Sequence, residues 1–307
     1  VGHCATLAPQ VSRVIVVDDG SGDAAAEVLQ QLEQAGHTVL RQPANLGIAA
    51  AMNRGMDAAL ADGAEFVVTF DQDSEVPEGF IDALVDEYDR AVAAGLRVGM
   101  VAPEFFSATP QTRMAQGTLL DLGFLEAYAP IQSGLLMPAT VIEALGPQRD
   151  DYFIDLVDTE YYLRVRRMGF EAICVPGLVL PHGFGHRLYV HLFGRRLRKR
   201  NGRPRMVAVS SPFRYYYRAR NRVALNREYA GRSQVPEVRA LLRRDTLNDV
   251  VLDYGVALWS ARGKFALLSL MIAGACDGLR GRLGKMSPKL ARRARRISFK
   301  HPVPPEV

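Results

Sequence analysis

Short β-branched runs alternate with amphipathic helical stretches through the first half of the chain. This alternation predicts an α/β fold, a mostly parallel sheet with helices on both faces. Acidic residues gather at the ends of two of those runs, and the second half of the chain is strongly basic. The expected architecture is a sheet domain over residues 1–185 and a basic, mainly helical extension over residues 186–307.

Residues 14–17 (VIVV) read as a buried strand that runs into the turn formers Asp18-Asp19-Gly20-Ser21-Gly22-Asp23. Ala24–Ala35 has helical spacing and stops at Gly36, and Val39-Leu40 is a second strand. Asn45 is placed to cap a helix running to about Ala61, with Ile48, Met52, Met56 and Leu60 on one face. Phe66–Phe70 (FVVTF) is a strand that leads directly into Asp71-Gln72-Asp73-Ser74. Phe80–Ala94 is an amphipathic helix, Val98–Ala102 a strand, Thr140–Leu145 a short helix ended by Gly146-Pro147, and Ile173–Val175 a brief strand. Thr159–Met168 reads as a helix with Asp158 at its N-cap and Gly169 beyond its end. From Gly183 onward the pattern is basic, aromatic and helical.

Composition narrows the class further. With 307 residues, 48% hydrophobic and 23% charged, the chain can bury a sizeable core, which excludes disorder, collagen and coiled coil. Cys4, Cys174 and Cys276 stand singly, a pattern of neither a disulfide framework nor a zinc site. The longest apolar run, Phe265–Cys276, falls well short of the roughly 20 residues a spanning helix needs. The net charge of +5 conceals a division: residues 1–160 carry −18 and residues 161–307 carry +23.

In open parallel sheets, ligands bind beyond the carboxyl ends of the strands. Two strands present carboxylates there, Asp18 and Asp19 after one, Asp71 and Asp73 after the other. Asp18-Asp19 reads equally well as a solvated turn. The Asp71-x-Asp73 pair suits one hard divalent cation shared with substrate phosphates. It also admits a haloacid-dehalogenase-type phosphatase, although residues 75–130 contain no lysine to serve that chemistry. A third cluster, Asp150 to Glu160, precedes a helix. Asp155 and Glu160 there read as structural, whereas an ionised Asp158 has the chemistry of a general base toward an attacking hydroxyl.

Five segments, VIVVDDGSGD, NLGIAAAMNRGMDAAL, FVVTFDQDSEVPEGF, QSGLLMPATVIEALG and DDYFIDLVDTEYYLRVRRMGF, together resemble the inverting GT-A glycosyltransferases of family 2, and among them the bacterial rhamnosyltransferases. The later segments LPHGFGH, SPFRYYYRARN and GLRGRLGK are similar to the C-terminal region of the same enzymes. The resemblance implies a GT-A fold and a nucleotide-sugar donor, dTDP-L-rhamnose above others. It implies Asp18 or Asp19, with Ser21, at the base or ribose, and Asn45, Gly47 and Asn53 in the sugar-nucleotide loop and helix. Asp71 and Asp73 are similar to the pair that holds Mg²⁺ or Mn²⁺ on the diphosphate, Asp73 as the direct ligand, and Asp158 matches the general base. His182 stands where many such enzymes place a late metal or diphosphate contact, with a structural histidine as the alternative. A galactofuranosyl or other hexosyl transferase of the same fold is the neighbouring possibility. The family's opening strand, V-[VT]-T-[YF]-N-P, has no counterpart here, so the chain is expected to be truncated or mis-started.

Residues 187–232 hold 14 Lys/Arg against one acid, and residues 280–300 hold nine against none. Interleaved aromatics suit nucleic acid, but a nucleic-acid module leaves the acidic clusters unexplained. The preferred partners are an anionic membrane surface and a glycan or polyprenyl-diphosphate-linked acceptor, with Arg214, Tyr216, Arg220 and Asn221 at that side. The expected location is cytoplasmic, peripheral at the inner face of the cell membrane, in cell-surface polysaccharide synthesis. A non-catalytic membrane-binding module is the alternative of another class.

Overall fold

The β-branched runs near residues 15 and 66 form the strands Ile15–Asp18 and Phe66–Thr69. The computed structural model describes residues 2–113, 118–181, 187–192, 195–231 and 236–303. Two compact units are present, Val1–Phe153 with Val157–Gly183, and Ile154–Leu156 with Phe184–Val307.

In the first unit Ile15–Asp18 pairs in parallel with Thr38–Arg41, as a two-stranded sheet of its own. A seven-stranded sheet runs in the order Phe66–Thr69, Leu135–Pro138, Val98–Phe106, Glu171–Leu180, Leu125–Ala127, Thr112–Arg113, with Thr109–Pro110 appended to Val98–Phe106. This corrects the expectation of a mostly parallel sheet. Leu135–Pro138 lies between Phe66–Thr69 and Val98–Phe106 and is antiparallel to both. Those two strands therefore point the same way without being neighbours, and among the described residues of the large sheet only Val98–Phe106 with Glu171–Leu180 pairs in parallel. The α/β character itself is as expected.

Helices Ala26–Gln34, Ile48–Ala61, Phe80–Ala93, Ala139–Leu145 and Val157–Arg167 accompany the strands. Phe80, Ile81, Leu84 and Ala91 line one face of Phe80–Ala93 and are buried against Val101, Leu136 and Ile173 of the sheet. Fully burying side chains of this size contributes about 1.5–3 kcal/mol each. Gly99 lets the sheet meet Val157–Arg167 and the residues after it, since a Cβ there would stand 2.7 Å from Val165 and 2.8 Å from Phe170.

From Arg214 on, the described residues of the second unit are mainly helical, with helices Arg214–Leu225, Pro236–Asn248, Tyr254–Ser260, Lys264–Leu279 and Pro288–Ala294 and one antiparallel pair, Ala261–Arg262 with Ser298–Phe299. The described residues 187–192 and 195–208 hold short antiparallel strands instead, among them Arg187–Tyr189 with Met206–Ala208, where helix was expected. Asn201-Gly202, with Gly202 at φ +78°, turns that segment back on itself, and Asn-Gly is a strong hairpin signal. Among the described residues, no helix is long and apolar enough to cross a membrane.

Candidate active site

Two acidic segments of the first unit follow strands, Asp18-Asp19 and Asp71-x-Asp73, and Asp158 lies at the start of the helix Val157–Arg167. Asp18 closes the strand Ile15–Asp18, and both its carboxylate oxygens accept from the Ser21 N–H, at 3.2 and 3.3 Å. Asp19 turns the other way. Its Oδ1 accepts from the Leu46 N–H at 2.7 Å and from Gln42 Nε2 at 3.1 Å, and its Oδ2 accepts from the Gly47 N–H at 2.9 Å. It thus supplies the loop before the helix Ile48–Ala61 with acceptors for orphan donors, the role sequence reasoning gave to Asn45. Asn45 is exposed, and the helix begins three residues later, at Ile48.

Gly47 is needed for two reasons. Its φ is +99°, and an added Cβ would stand 2.5 Å from the Phe153 carbonyl oxygen. That same oxygen accepts the Ile48 N–H at 2.8 Å. Phe153 is itself left-handed, at φ +66°, a strained conformation for an aromatic residue. The Asn45–Gly47 loop and the acidic segment around Asp150 are thereby tied together.

Asn53 forms a reciprocal pair with the Gln148 backbone, donating to its carbonyl at 2.9 Å and accepting its N–H at 2.8 Å. Gln148 Nε2 continues to Gln132 Oε1 at 3.1 Å, and Gln132 Nε2 to Thr69 Oγ1 at 2.6 Å. Asn53 was expected among the sugar-nucleotide contacts, yet its amide is spent on this buried chain.

Asp71 and Asp73 follow the strand Phe66–Thr69, Asp71 half-buried and Asp73 exposed. Ser133 shapes their turn. Its hydroxyl accepts the Asp71 N–H at 3.0 Å and shares a 2.6 Å hydrogen bond with Ser74 Oγ, and both serines are buried. His3 lies nearby, and burial lowers its imidazole below the ordinary value while the Asp73 charge acts in the opposite sense. The donors offered here are carboxylate oxygens, which fit a hard divalent cation. Among the described residues, no group of three or more His, Cys, Asp or Glu side chains is arranged around one point. His182 lies outside the described residues.

Asp158 sits second in the helix Val157–Arg167 rather than at its N-cap. It is half-buried, and its Oδ1 accepts the Thr159 N–H at 2.8 Å. Two residues on, Glu160 is buried and paired with Arg164 at 2.6 Å, a structural role as expected. The residues sequence reasoning missed are Ser133, Gln132, Gln148 and Thr69. Their signal was weak: Gln132-Ser133 is a polar pair entering the apolar run LLMP.

In the second unit, Arg214 holds the Asp155 carboxylate at 2.6 and 3.1 Å. Asn221 donates to the carbonyls of Ile154 and Asp155 at 2.9 and 2.8 Å. Arg220 is fully buried and donates to Asn221 Oδ1 at 2.9 Å and to the Gly284 carbonyl. The Tyr216 hydroxyl donates to Asp277 at 2.9 Å, and burial together with that carboxylate pushes its pKa up to about 12. Asp155 therefore belongs to this ion pair and not to a helix N-terminus. Tyr216, Arg220 and Asn221, expected at the acceptor or membrane side, are core residues: their polar atoms are spent inside the unit.

Residues 4–138 match the model of Glycosyl transferase family 2. The fold is that of the GT-A glycosyltransferases, and the chain is a glycosyltransferase. Over 288 residues, 91% of this chain and 90% of the relative, it is 26% identical to the dTDP-rhamnosyl transferase RfbF of Shigella flexneri. Among solved structures, S. aureus TarS superposes with a TM-score of 0.53 at 13% identity, covering 92% of this chain and 44% of that one. TarS 1-349 in complex with UDP-GlcNAc gives a TM-score of 0.50 at 13% identity, covering 87% and 72%. Identity at that level speaks for the fold alone. This chain spans less than half the length of the longer TarS chain.

Proposed function

We propose that the chain is an inverting nucleotide-sugar glycosyltransferase that moves L-rhamnose from dTDP-L-rhamnose to a glycan or polyprenyl-diphosphate-linked acceptor. The observation that carries this reading is the Asp71-x-Asp73 turn at the end of Phe66–Thr69, shaped by Ser133 and accompanied in the same unit by Asp18 and Asp158. The 26% identity to a dTDP-rhamnosyl transferase supports the choice of sugar.

In this reading Asp18, with the Ser21 turn, meets the base or ribose. Asp19 and Gly47 fix the Asn45–Gly47 loop on the donor side. Asp73, with Asp71, would hold Mg²⁺ or Mn²⁺, which neutralises charge on the departing diphosphate when bound. Asp158 accepts the proton of the acceptor hydroxyl at its carboxylate. Inversion by single displacement at the anomeric carbon needs no covalent nucleophile, so a base and charge stabilisation suffice. A phosphatase reading is not retained, because the domain around Asp71 matches a glycosyltransferase. The basic second unit is read as meeting an anionic membrane at the cytoplasmic face, where a lipid-linked acceptor would be found.

Calorimetric titration with dTDP, with and without Mn²⁺, tests the donor site. Binding that strengthens with Mn²⁺ and is lost in Asp73→Asn is expected. Binding of dTDP that ignores both would overturn the assignment, and stronger turnover of a UDP-hexofuranose than of dTDP-L-rhamnose would move the donor to the galactofuranosyl alternative.

A further inference from the structure

The helix Lys264–Leu279 is apolar on two opposite sides. Leu267, Leu270, Met271, Gly274 and Gly278 are buried. The two glycines admit the backbone of Arg214–Leu225, since a Cβ on Gly274 would stand 2.2 Å from the Tyr216 carbonyl oxygen and one on Gly278 2.5 Å from that of Arg220. On the other side Phe265, Leu268, Ile272 and Leu279 recur at helical spacing and are exposed, Phe265 to 89%. Trp259, 67% exposed, adjoins them, with the Lys264 ammonium 5.2 Å over its ring. Lone apolar side chains at a surface need no explanation, but a stripe of four ending in a tryptophan does.

A cationic cluster flanks this stripe. Lys289, Arg292, Arg293 and Arg296 line a cavity of about 230 Å³. Arg293 Nη1 donates to Ser269 Oγ at 3.0 Å, and Ser269 follows Leu268 directly and lies one turn beyond Phe265 on the helix. Residues 280–300 contain no acid to neutralise these cations.

We infer that this face is a docking surface for an anionic lipid bilayer. Phe265, Leu268, Ile272 and Trp259 enter the interface, and Lys289, Arg292, Arg293 and Arg296 meet the headgroup phosphates. Charge complementarity selects this occupant: a second copy of the chain would bring the same cations against each other, whereas anionic headgroups pair with them. The Lys264 ammonium over the Trp259 ring adds a further cation beside the apolar stripe. The inference rests on the membrane reading above and names the surface that carries it; it does not depend on the donor sugar.

The chain has one tryptophan, so Trp259 fluorescence reports on this face directly. The full chain is titrated with vesicles of phosphatidylcholine containing phosphatidylglycerol, and binding is measured in parallel by co-sedimentation. A blue shift at Trp259 and quenching by brominated lipid are expected. Phe265→Ser with Ile272→Ser should weaken binding at least about tenfold. Arg292→Gln with Arg296→Gln should weaken it about fivefold per cation, with a shallower salt dependence. These positions are exposed, and far-UV circular dichroism checks that the variants fold. Vesicle binding with no change at Trp259 and none in either variant would overturn the assignment of this face while leaving the membrane reading intact. No vesicle binding by the wild-type chain would overturn both.

Discussion

Ser133→Ala removes the hydroxyl that shapes the Asp71–Ser74 turn. In the wild type that oxygen accepts the Asp71 N–H at 3.0 Å and bonds Ser74 Oγ at 2.6 Å. The substitution removes the 2.6 Å hydrogen bond to the buried Ser74 hydroxyl, worth about 1 kcal/mol. Losing the hydrogen bond to the half-buried Asp71 amide adds about 1 kcal/mol, giving a destabilisation of about 2 kcal/mol. At roughly 2–4 °C per kcal/mol for a domain of this size, Tm should fall by about 4–8 °C. Ser74→Ala leaves Ser133 with the Asp71 amide still to bind, so it should cost only about 1 kcal/mol. The double variant should be less destabilised than the sum of the singles, because both singles lose the same Ser133–Ser74 hydrogen bond. Differential scanning calorimetry of the three variants closes the cycle, and donor KM should rise in Ser133→Ala because the Asp71–Asp73 turn loosens. A Tm within 1 °C of wild type, with additive effects, would refute this role for Ser133.

Other expectations follow from the same geometry. Asp19→Ala should cost about 1–2 kcal/mol, as loss of a helix N-terminal acceptor does, and should raise donor KM more than it lowers kcat; calorimetric melting and donor titration measure the two effects. Gly47→Ala places a Cβ 2.5 Å from the Phe153 carbonyl at a φ of +99°, and should cost more stability than Gly63→Ala, where nothing stands within 4 Å although φ is also positive. Burial, with Glu104 and Glu87 adding to it, pushes the Cys174 thiol up to about 12. Only the thiolate reacts, so Cys174 should resist a thiol reagent at neutral pH until the chain unfolds. The half-buried Cys276 should label in the native state, and mass spectrometry after timed labelling distinguishes the two.

Much of the first unit was legible in the sequence because its signals are local. VIVV, FVVTF and Phe80–Ala94 each carry enough apolar periodicity to name their element, and Asp71-x-Asp73 stands out as a charge pair at the end of a strand. The strand Leu135–Pro138 carries no such mark. Four consecutive buried residues have no alternation, and the antiparallel direction follows from long-range pairing that periodicity does not encode. The same limit applies to Ser133, Gln132 and Gln148. A neutral polar side chain reveals its role only when folding delivers partners from 60 to 95 residues away in the chain. Arg220 and Asn221 misled for the converse reason. RYYYRARN looks like a surface for anions, yet its charges and amides turn inward to satisfy buried carbonyls and Asp155. The Asn201-Gly202 hairpin was readable, but the basic run around it drew attention to charge rather than to turn chemistry.

The most direct measurement is transfer from dTDP-L-rhamnose in the presence of Mn²⁺, comparing wild type with Asp158→Asn and Asp73→Asn. Asp158→Asn should lower kcat by roughly 10²–10⁴-fold, the usual contribution of a general base, while dTDP affinity stays at the wild-type value. Asp73→Asn should weaken donor binding and its response to Mn²⁺. Near-wild-type turnover in both variants would contradict the account.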